Sequence, residues 1–209
     1  MKYKYIAFDI DGTLIDTQDT FTYSFSRTIK EIKGQDVPPD ELVKYFGLPS
    51  LAGVEQVGFP DADAALELWE EHYRRMAREK SHPYRGVHEV LGRIVAAGIK
   101  IGVITSRSRE EFAADRNLDP WREFFSVVIC ASDTVRHKPD GEPALAFAAA
   151  AGISPSECLY MGDTILDSQC AANAGMDFAL ADWGGKWGGG IPCDYRFCSA
   201  EEMLKIALL

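Results

Sequence analysis

No apolar run in this chain approaches the ~20 residues needed to cross a bilayer, so a membrane-spanning helix is not expected. Basic residues are in deficit: 22 Lys and Arg stand against 32 Asp and Glu, for a net charge of −10. With no local basic patch to offset that sign, a nucleic-acid-binding surface is not expected either. The one basic cluster, HYRRMAR at 72–78, is flanked by glutamates and reads as a solvated helix face. Cysteine is scarce and unpatterned. Five residues (Cys130, Cys158, Cys170, Cys193 and Cys198) form no C-x-x-C pair, and an odd count suits reduced thiols. His72, His82, His88 and His137 show no metal-ligand spacing. The first residues enter a short strand without a basic and then apolar leader, so the expected compartment is the cytoplasm.

What is present is a globular composition, 46% hydrophobic and 26% charged, in 209 residues, enough for one ordinary core and an accessory unit. Short apolar runs occur at 5–8, 99–104, 127–129, 158–161 and 178–180, each bounded by turn or charged residues, as buried parallel strands are. Helical patterns separate most of them, at 87–97, 109–117, 143–151 and 167–174. A last helix is expected over 200–208, with Ser199 and Glu202 as a capping box. Strand alternating with helix predicts an α/β fold, a doubly wound parallel five-stranded sheet.

One interval breaks the alternation. The first and second strands lie ~90 residues apart, whereas a crossover with its helix needs a dozen or more. Helical patterns at 21–33, 39–46, 51–57 and 62–80 fill the gap, and the last carries an apolar stripe of Ala65, Leu68, Trp69, His72, Tyr73 and Met76. The expectation is a core domain of residues 1–16 and 85–209 with an inserted helical cap domain at 17–84. The glycine-rich WGGKWGGG at 183–190 lacks phosphate-loop spacing and reads as a surface loop.

Ligands of such sheets bind at the carboxyl ends of the strands. The first strand ends in Asp9 and Asp11, followed by Gly12 and Thr13. The second ends in Thr105 and Ser106, the third is followed by Lys138, and the fourth runs into Asp163 and Asp167. Two carboxylates at i, i+2 repel unless a cation sits between them. Asp9, Asp163 and Asp167 are hard oxygen ligands suited to Mg²⁺, and Thr105 and Lys138 can hold phosphate oxygens. Asp9 can attack phosphorus as a nucleophile, and Asp11 can move a proton to the leaving oxygen and from water. Taken singly, Asp16 and Asp167 also fit helix caps, Thr105 or Ser106 could cap the next helix, and Lys138 could be a loop lysine.

DIDGT, VITS, KPDGEP and GDTILD, in this order over nearly the whole chain, resemble the haloacid dehalogenase-type phosphatases with a helical cap after the first motif. The resemblance implies a nucleophile at Asp9, an acid–base at Asp11, and phosphate contacts at Thr105 and Lys138. It also implies magnesium held by Asp9, the Asp11 carbonyl and Asp163, assisted by Asp167. Gly12, Thr13 and Ser106 complete the candidate substrate contacts in the core. The segment YFGLPSLAG at 45–53 is similar to the cap loop of phosphoglycolate phosphatases and related pyrophosphatases, which makes Gly47 a candidate contact; a plain helix–helix turn is the alternative. Gly141 departs from the family, standing where relatives commonly have proline. The presence of Asp11 disfavours dehalogenation and phosphonate cleavage. Phe21, in place of the hinge histidine of related sugar-phosphate mutases, disfavours a mutase. The expected function is a Mg²⁺-dependent phosphatase of a small phosphorylated metabolite. The alternatives are a β-phosphoglucomutase-like transferase, a pyrophosphatase, and an inactive relative that binds a phosphorylated ligand. Motif chemistry gives neither the substrate nor the oligomeric state.

Overall fold

The computed structural model describes residues 2–183 and 190–208. The glycine-rich stretch singled out above therefore lies largely outside the described residues. In chain order the elements are β1 (Tyr5–Phe8), β2 (Ile15–Asp16), α1 (Gln18–Lys33), α2 (Ser50–Val57), α3 (Ala62–Lys80), β3 (His82–Pro83), α4 (Val87–Ala96), β4 (Lys100–Ile104), α5 (Arg109–Ala114), β5 (Phe125–Ile129), α6 (Glu142–Ala151), β6 (Cys158–Gly162), α7 (Ile165–Ala174), β7 (Asp177–Ala181) and β8 (Tyr195–Phe197). Short 3₁₀ segments join several of them. The chain divides into two compact units, Met1–Leu14 with Pro83–Leu209, and Ile15–His82.

The first unit is built on a parallel sheet of order β5-β4-β1-β6-β7-β8. β1 lies inside the sheet, with Tyr5 opposite both Lys100 and Cys158 and Phe8 opposite both Val103 and Met161. Its Ile6, Ala7 and Phe8 are fully buried, which accounts for an unbroken apolar run in place of alternation. Side chains at i, i+2 spacing still sort by face. Tyr5, Ala7, Cys158 and Tyr160 share one core cluster with Phe147 and Ala148 of α6 and Cys170 and Ala171 of α7. Burying each large apolar side chain there contributes ~1.5–3 kcal/mol.

The sheet has six strands, so the five-stranded expectation is corrected. The addition is Tyr195–Phe197, three residues at the edge with an exposed arginine in the middle, which leaves no apolar run to read. Three helical expectations also change. Residues 39–46 form a 3₁₀ segment, Pro39–Tyr45, in place of an α-helix. Residues 109–117 split into α5 and a 3₁₀ stretch, Arg116–Phe124, which contains Pro120. Ala200–Leu208 is 3₁₀ rather than α, and its Glu202 carboxylate accepts the Cys198 N–H at 2.8 Å. Asp16 ends β2, and it is Thr17 that precedes α1.

The second unit packs α1, a 3₁₀ turn (Pro39–Tyr45), α2 and α3 around Phe21, Phe25, Ile29, Leu42, Phe46, Val54, Phe59, Ala65 and Trp69. Phe21 stacks on Phe25 with centroids 5.3 Å apart and meets Phe46 and Trp69 edge-on at 5.5 and 5.7 Å. Such pairs add ~0.5–1.5 kcal/mol beyond their buried area. A polar seam runs between α1 and the α3 end: Thr20 meets Ser81 at 2.9 Å, and Thr28 meets the His72 Nδ1 at 3.0 Å. Gly47 lies between the 3₁₀ turn and α2 with φ +88°, a left-handed position that favours glycine with or without a ligand.

Candidate active site

The carboxyl ends of β1, β4 and β6 lie side by side because β1 pairs with both neighbours in parallel register. Asp9 follows β1 directly, and its N–H donates to the Met161 carbonyl at 2.8 Å, which continues the β1–β6 ladder beyond the strand. Asp163 follows β6. Asp167 sits in the first turn of α7, where Thr164 and Asp167 form a capping box. The Thr164 N–H and hydroxyl donate to Asp167 Oδ2 at 3.0 and 2.6 Å, and the Asp167 N–H returns to Thr164 Oγ1 at 3.2 Å. Asp167 is thus both the helix-terminal residue that its position suggests and a neighbour of Asp9 and Asp163.

Asp9, Asp163 and Asp167 each bring one carboxylate oxygen to within 4.8 Å of the others, and all three are buried. Lys138, itself 5% exposed, reaches in from the loop after β5. Its Nζ donates to Asp9 Oδ1 at 2.8 Å and Asp167 Oδ1 at 2.7 Å. It is therefore not a solvated loop lysine. The Tyr160 hydroxyl donates to Asp167 Oδ1 at 2.8 Å from below.

One ammonium does not balance three buried carboxylates, and the acidities record it. Burial pushes Asp9 up to about 7, against the pull of Lys138 and with further push from Asp167 and Asp11. Asp163 is raised well above the carboxylate range, again by burial first and then by its two carboxylate neighbours. Asp167 goes the other way. Burial opposes its charge, but the Lys138 ion pair and the bonds from Lys138, Thr164 and Tyr160 hold it below the usual value. Three buried carboxylates gathered in this way, two of them driven toward protonation, could hold a hard, oxygen-seeking cation.

Gly12 serves this packing directly. It adopts φ +83°, and a Cβ there would lie 2.1 Å from Asp163 Oδ2. The Thr13 hydroxyl donates to Asp163 Oδ1 at 3.2 Å, and the Thr13 carbonyl accepts the Trp183 indole N–H at 2.8 Å. Thr105 is buried at the end of β4, where its N–H bonds the Ile129 carbonyl at 3.0 Å and its Oγ1 accepts the Arg107 N–H at 3.2 Å. Ser106 is half-buried beside it. Neither caps α5; Ser108 does, in a capping box with Glu111. Gly47 belongs to the helical unit.

Asp11 points its carboxylate at a residue that the motifs did not mark. Arg107 Nε and Nη2 donate to Asp11 Oδ2 and Oδ1, both at 2.7 Å. The signal for Arg107 was its place two residues beyond Thr105 on the same edge, but which acid it would meet depends on the neighbouring strand. Tyr160 was missed for a different reason, since an aromatic within a buried strand reads as core until the direction of its hydroxyl is known.

A family model described as haloacid dehalogenase-like hydrolase matches residues 6–181. A Clostridium perfringens relative, named as a candidate pyrophosphatase, PpaX, is 31% identical over 82% of this chain and 80% of its own. The phosphoglycolate phosphatase of Aquifex aeolicus is 27% identical over 96% of this chain and 95% of its own. The crystal structure of a Lactobacillus plantarum protein, described as a candidate phosphoglycolate phosphatase, is similar with a TM-score of 0.83 at 26% identity, covering 99% of this chain and all of that one. With the buried acidic triad, its lysine bridge and the parallel sheet behind them already in place, the matched span leaves one conclusion: the chain belongs to the haloacid dehalogenase-like hydrolase family.

Proposed function

We propose that this hydrolase is a magnesium-dependent phosphatase of a small phosphorylated metabolite, working through a phosphoryl-enzyme at Asp9. The observation that carries the reading is the meeting of Asp9, Asp163 and Asp167 within 4.8 Å of one another, with Lys138 bonded to two of them. A donor set of buried carboxylate oxygens fits Mg²⁺, which Asp9, Asp163 and the Asp11 carbonyl would hold, with Asp167 outside them. When bound, the ion neutralises charge on the phosphoryl group and the carboxylates.

The residues of the chain do the rest. Asp9 attacks phosphorus, and the bond from phosphorus to the ester oxygen breaks. Asp11 gives that oxygen a proton; it then takes a proton from the water that attacks phosphorus and frees Asp9. Lys138 keeps its charge despite burial, because Asp167 and Asp9 outweigh the desolvation, and so it can offset phosphate charge. Thr105, Ser106, Gly12 and Thr13 are the proposed phosphate contacts on the strand ends.

The helical unit enters the chain directly after the first motif, and we read it as the cap that selects the substrate, with Gly47 as its candidate contact. The names of the Aquifex and Clostridium relatives support phosphoglycolate or pyrophosphate as substrates to try first. Against a mutase stands Phe21, whose ring is committed to the core of the helical unit. The cytoplasm is the proposed compartment; among the described residues no helix is long and apolar enough to cross a membrane.

The test is phosphate release from small phosphate esters and pyrophosphate, with Mg²⁺ or with a chelator, beside Asp9→Asn. Magnesium-dependent release that is lost in the variant supports the reading. Saturable binding without release points instead to a phosphorylated-ligand binder, and transfer between sugars without release to a mutase.

A further inference from the structure

Arg107 is 8% exposed, and each nitrogen of its guanidinium has a carboxylate partner. Nε and Nη2 hold the two oxygens of Asp11, and Nη1 donates to Asp115 Oδ2, all at 2.7 Å. Both ends of this bridge are fixed to backbone. The Arg107 N–H donates to Thr105 Oγ1 at 3.2 Å, and its carbonyl accepts the Ala131 N–H at 2.9 Å. Asp115 spends its other oxygen on the Asn117 N–H at 2.8 Å, and its carbonyl accepts Arg122 Nη2 at 2.9 Å. A planar fork bonded to both oxygens of a carboxylate sets the plane of that carboxylate as well as its distance. No cationic point charge could do so.

We propose that Arg107 is the positioning residue of Asp11, with Asp115 as its anchor, and that it acts by orienting the carboxyl group that, protonated, hands its proton to the leaving oxygen and, as the carboxylate, takes one from water. This rests on the phosphatase reading above. General acid catalysis requires the donor within hydrogen-bond reach of one oxygen. The Arg107 fork fixes the plane in which the Asp11 oxygens lie. Because the same residue bonds Thr105 through its N–H, the strand end of β4 and the acid–base carboxylate share one frame.

The consequence is specific to the leaving group. The leaving group of an alkyl phosphate is a poor alkoxide that needs the proton, whereas 4-nitrophenyl phosphate expels a stable phenolate that needs little. The value of kcat/KM for each ester reports the step in which the ester bond breaks. For Arg107→Gln, kcat/KM on the alkyl ester is expected to fall by roughly 10–100-fold, part of the ~10²–10⁴-fold that acid–base assistance supplies. On 4-nitrophenyl phosphate it should fall by less than about threefold, a small part of that same assistance. Arg107→Lys, which has charge but no fork, should behave like Arg107→Gln. Asp115→Asn should show the same bias at smaller size. Adding Arg107→Gln to Asp11→Asn should cost nothing further.

An equal fall on both esters, additivity with Asp11→Asn, or unchanged kinetics overturns the assignment while leaving the phosphatase reading intact. If Arg107→Gln does not fold, Asp115→Asn and Arg107→Lys decide, and absence of the leaving-group bias in both overturns it. Wild-type protein that releases phosphate from neither ester, from no other small phosphate ester and not from pyrophosphate overturns both readings together.

Discussion

Replacing Lys138 by methionine tests how the buried charges support one another. Lys138 Nζ lies 2.8 Å from Asp9 and 2.7 Å from Asp167, with side chains that are 3%, 5% and 1% exposed. Methionine keeps most of the stem volume and removes the charge, leaving three carboxylates within 4.8 Å of one another with no ammonium between them. Breaking a buried pair by deleting one partner costs ~3–5 kcal/mol. For a chain of this size ~2–4 °C of Tm accompanies each kcal/mol, so the transition of the sheet unit should drop by roughly 6–20 °C at pH 8 in chelator. The sign with pH follows. Asp9 already sits near 7 with Lys138 beside it, and removing the ammonium raises it further. The folded variant therefore binds protons that its unfolded chain does not, and its deficit shrinks as pH falls. The assay is thermal unfolding of wild type and Lys138→Met at pH 5.5 and pH 8. A loss below about 1 kcal/mol at pH 8, or one that does not shrink at pH 5.5, would refute the account of the triad as an under-neutralised cluster.

Three further outcomes are expected. Without a divalent cation, the raised pKa values of Asp9 and Asp163 make stability fall as pH rises toward 7 and beyond; at pH 7.5 saturating Mg²⁺ at 100 times its Kd should restore ~2.7 kcal/mol, read as a Tm shift that shrinks at pH 5. Gly12→Ala, with a Cβ 2.1 Å from Asp163 Oδ2 and φ +83°, should abolish phosphate release and lower the Tm, whereas an ordinary solvent-exposed turn would tolerate alanine. In the helical unit, burial lowers the pKa of His72 below its ordinary value despite Glu31 at 3.3 Å. The unfolded chain protonates first, so stability present above pH ~6.5 is lost as pH falls, and urea midpoints of His72→Gln should depend less on pH between 7.5 and 5.5 than those of wild type.

The parts legible from sequence are those that burial writes into composition. β1, β4, β6 and β7 sit inside the sheet, and their continuous apolar runs have no other cheap arrangement. β8 sits at the edge, where one face and one side of a three-residue strand meet solvent, and Tyr-Arg-Phe carries no such run. Residues 200–208 show helical spacing, but whether each N–H turns back three residues or four is decided by hydrogen bonding that spacing does not encode. Within the site, Asp9, Lys138, Asp163 and Asp167 could be gathered because parallel strands deliver their carboxyl ends to one edge. Arg107 and Tyr160 could not be seen as partners of Asp11 and Asp167. Those contacts join positions 96 and 7 apart in sequence whose side-chain directions arise only once β4 and β6 flank β1.

Trapping the phosphoryl-enzyme tests the central claim most directly. The protein would be mixed with a turned-over ester and Mg²⁺, quenched in acid within the first turnover, and its peptides weighed. A phosphoryl group on the peptide that contains Asp9, absent without Mg²⁺ and absent in Asp9→Asn, is the predicted result. Phosphate released at full rate with that peptide unmodified at every quench time, or with Asp9→Asn still active, would contradict it.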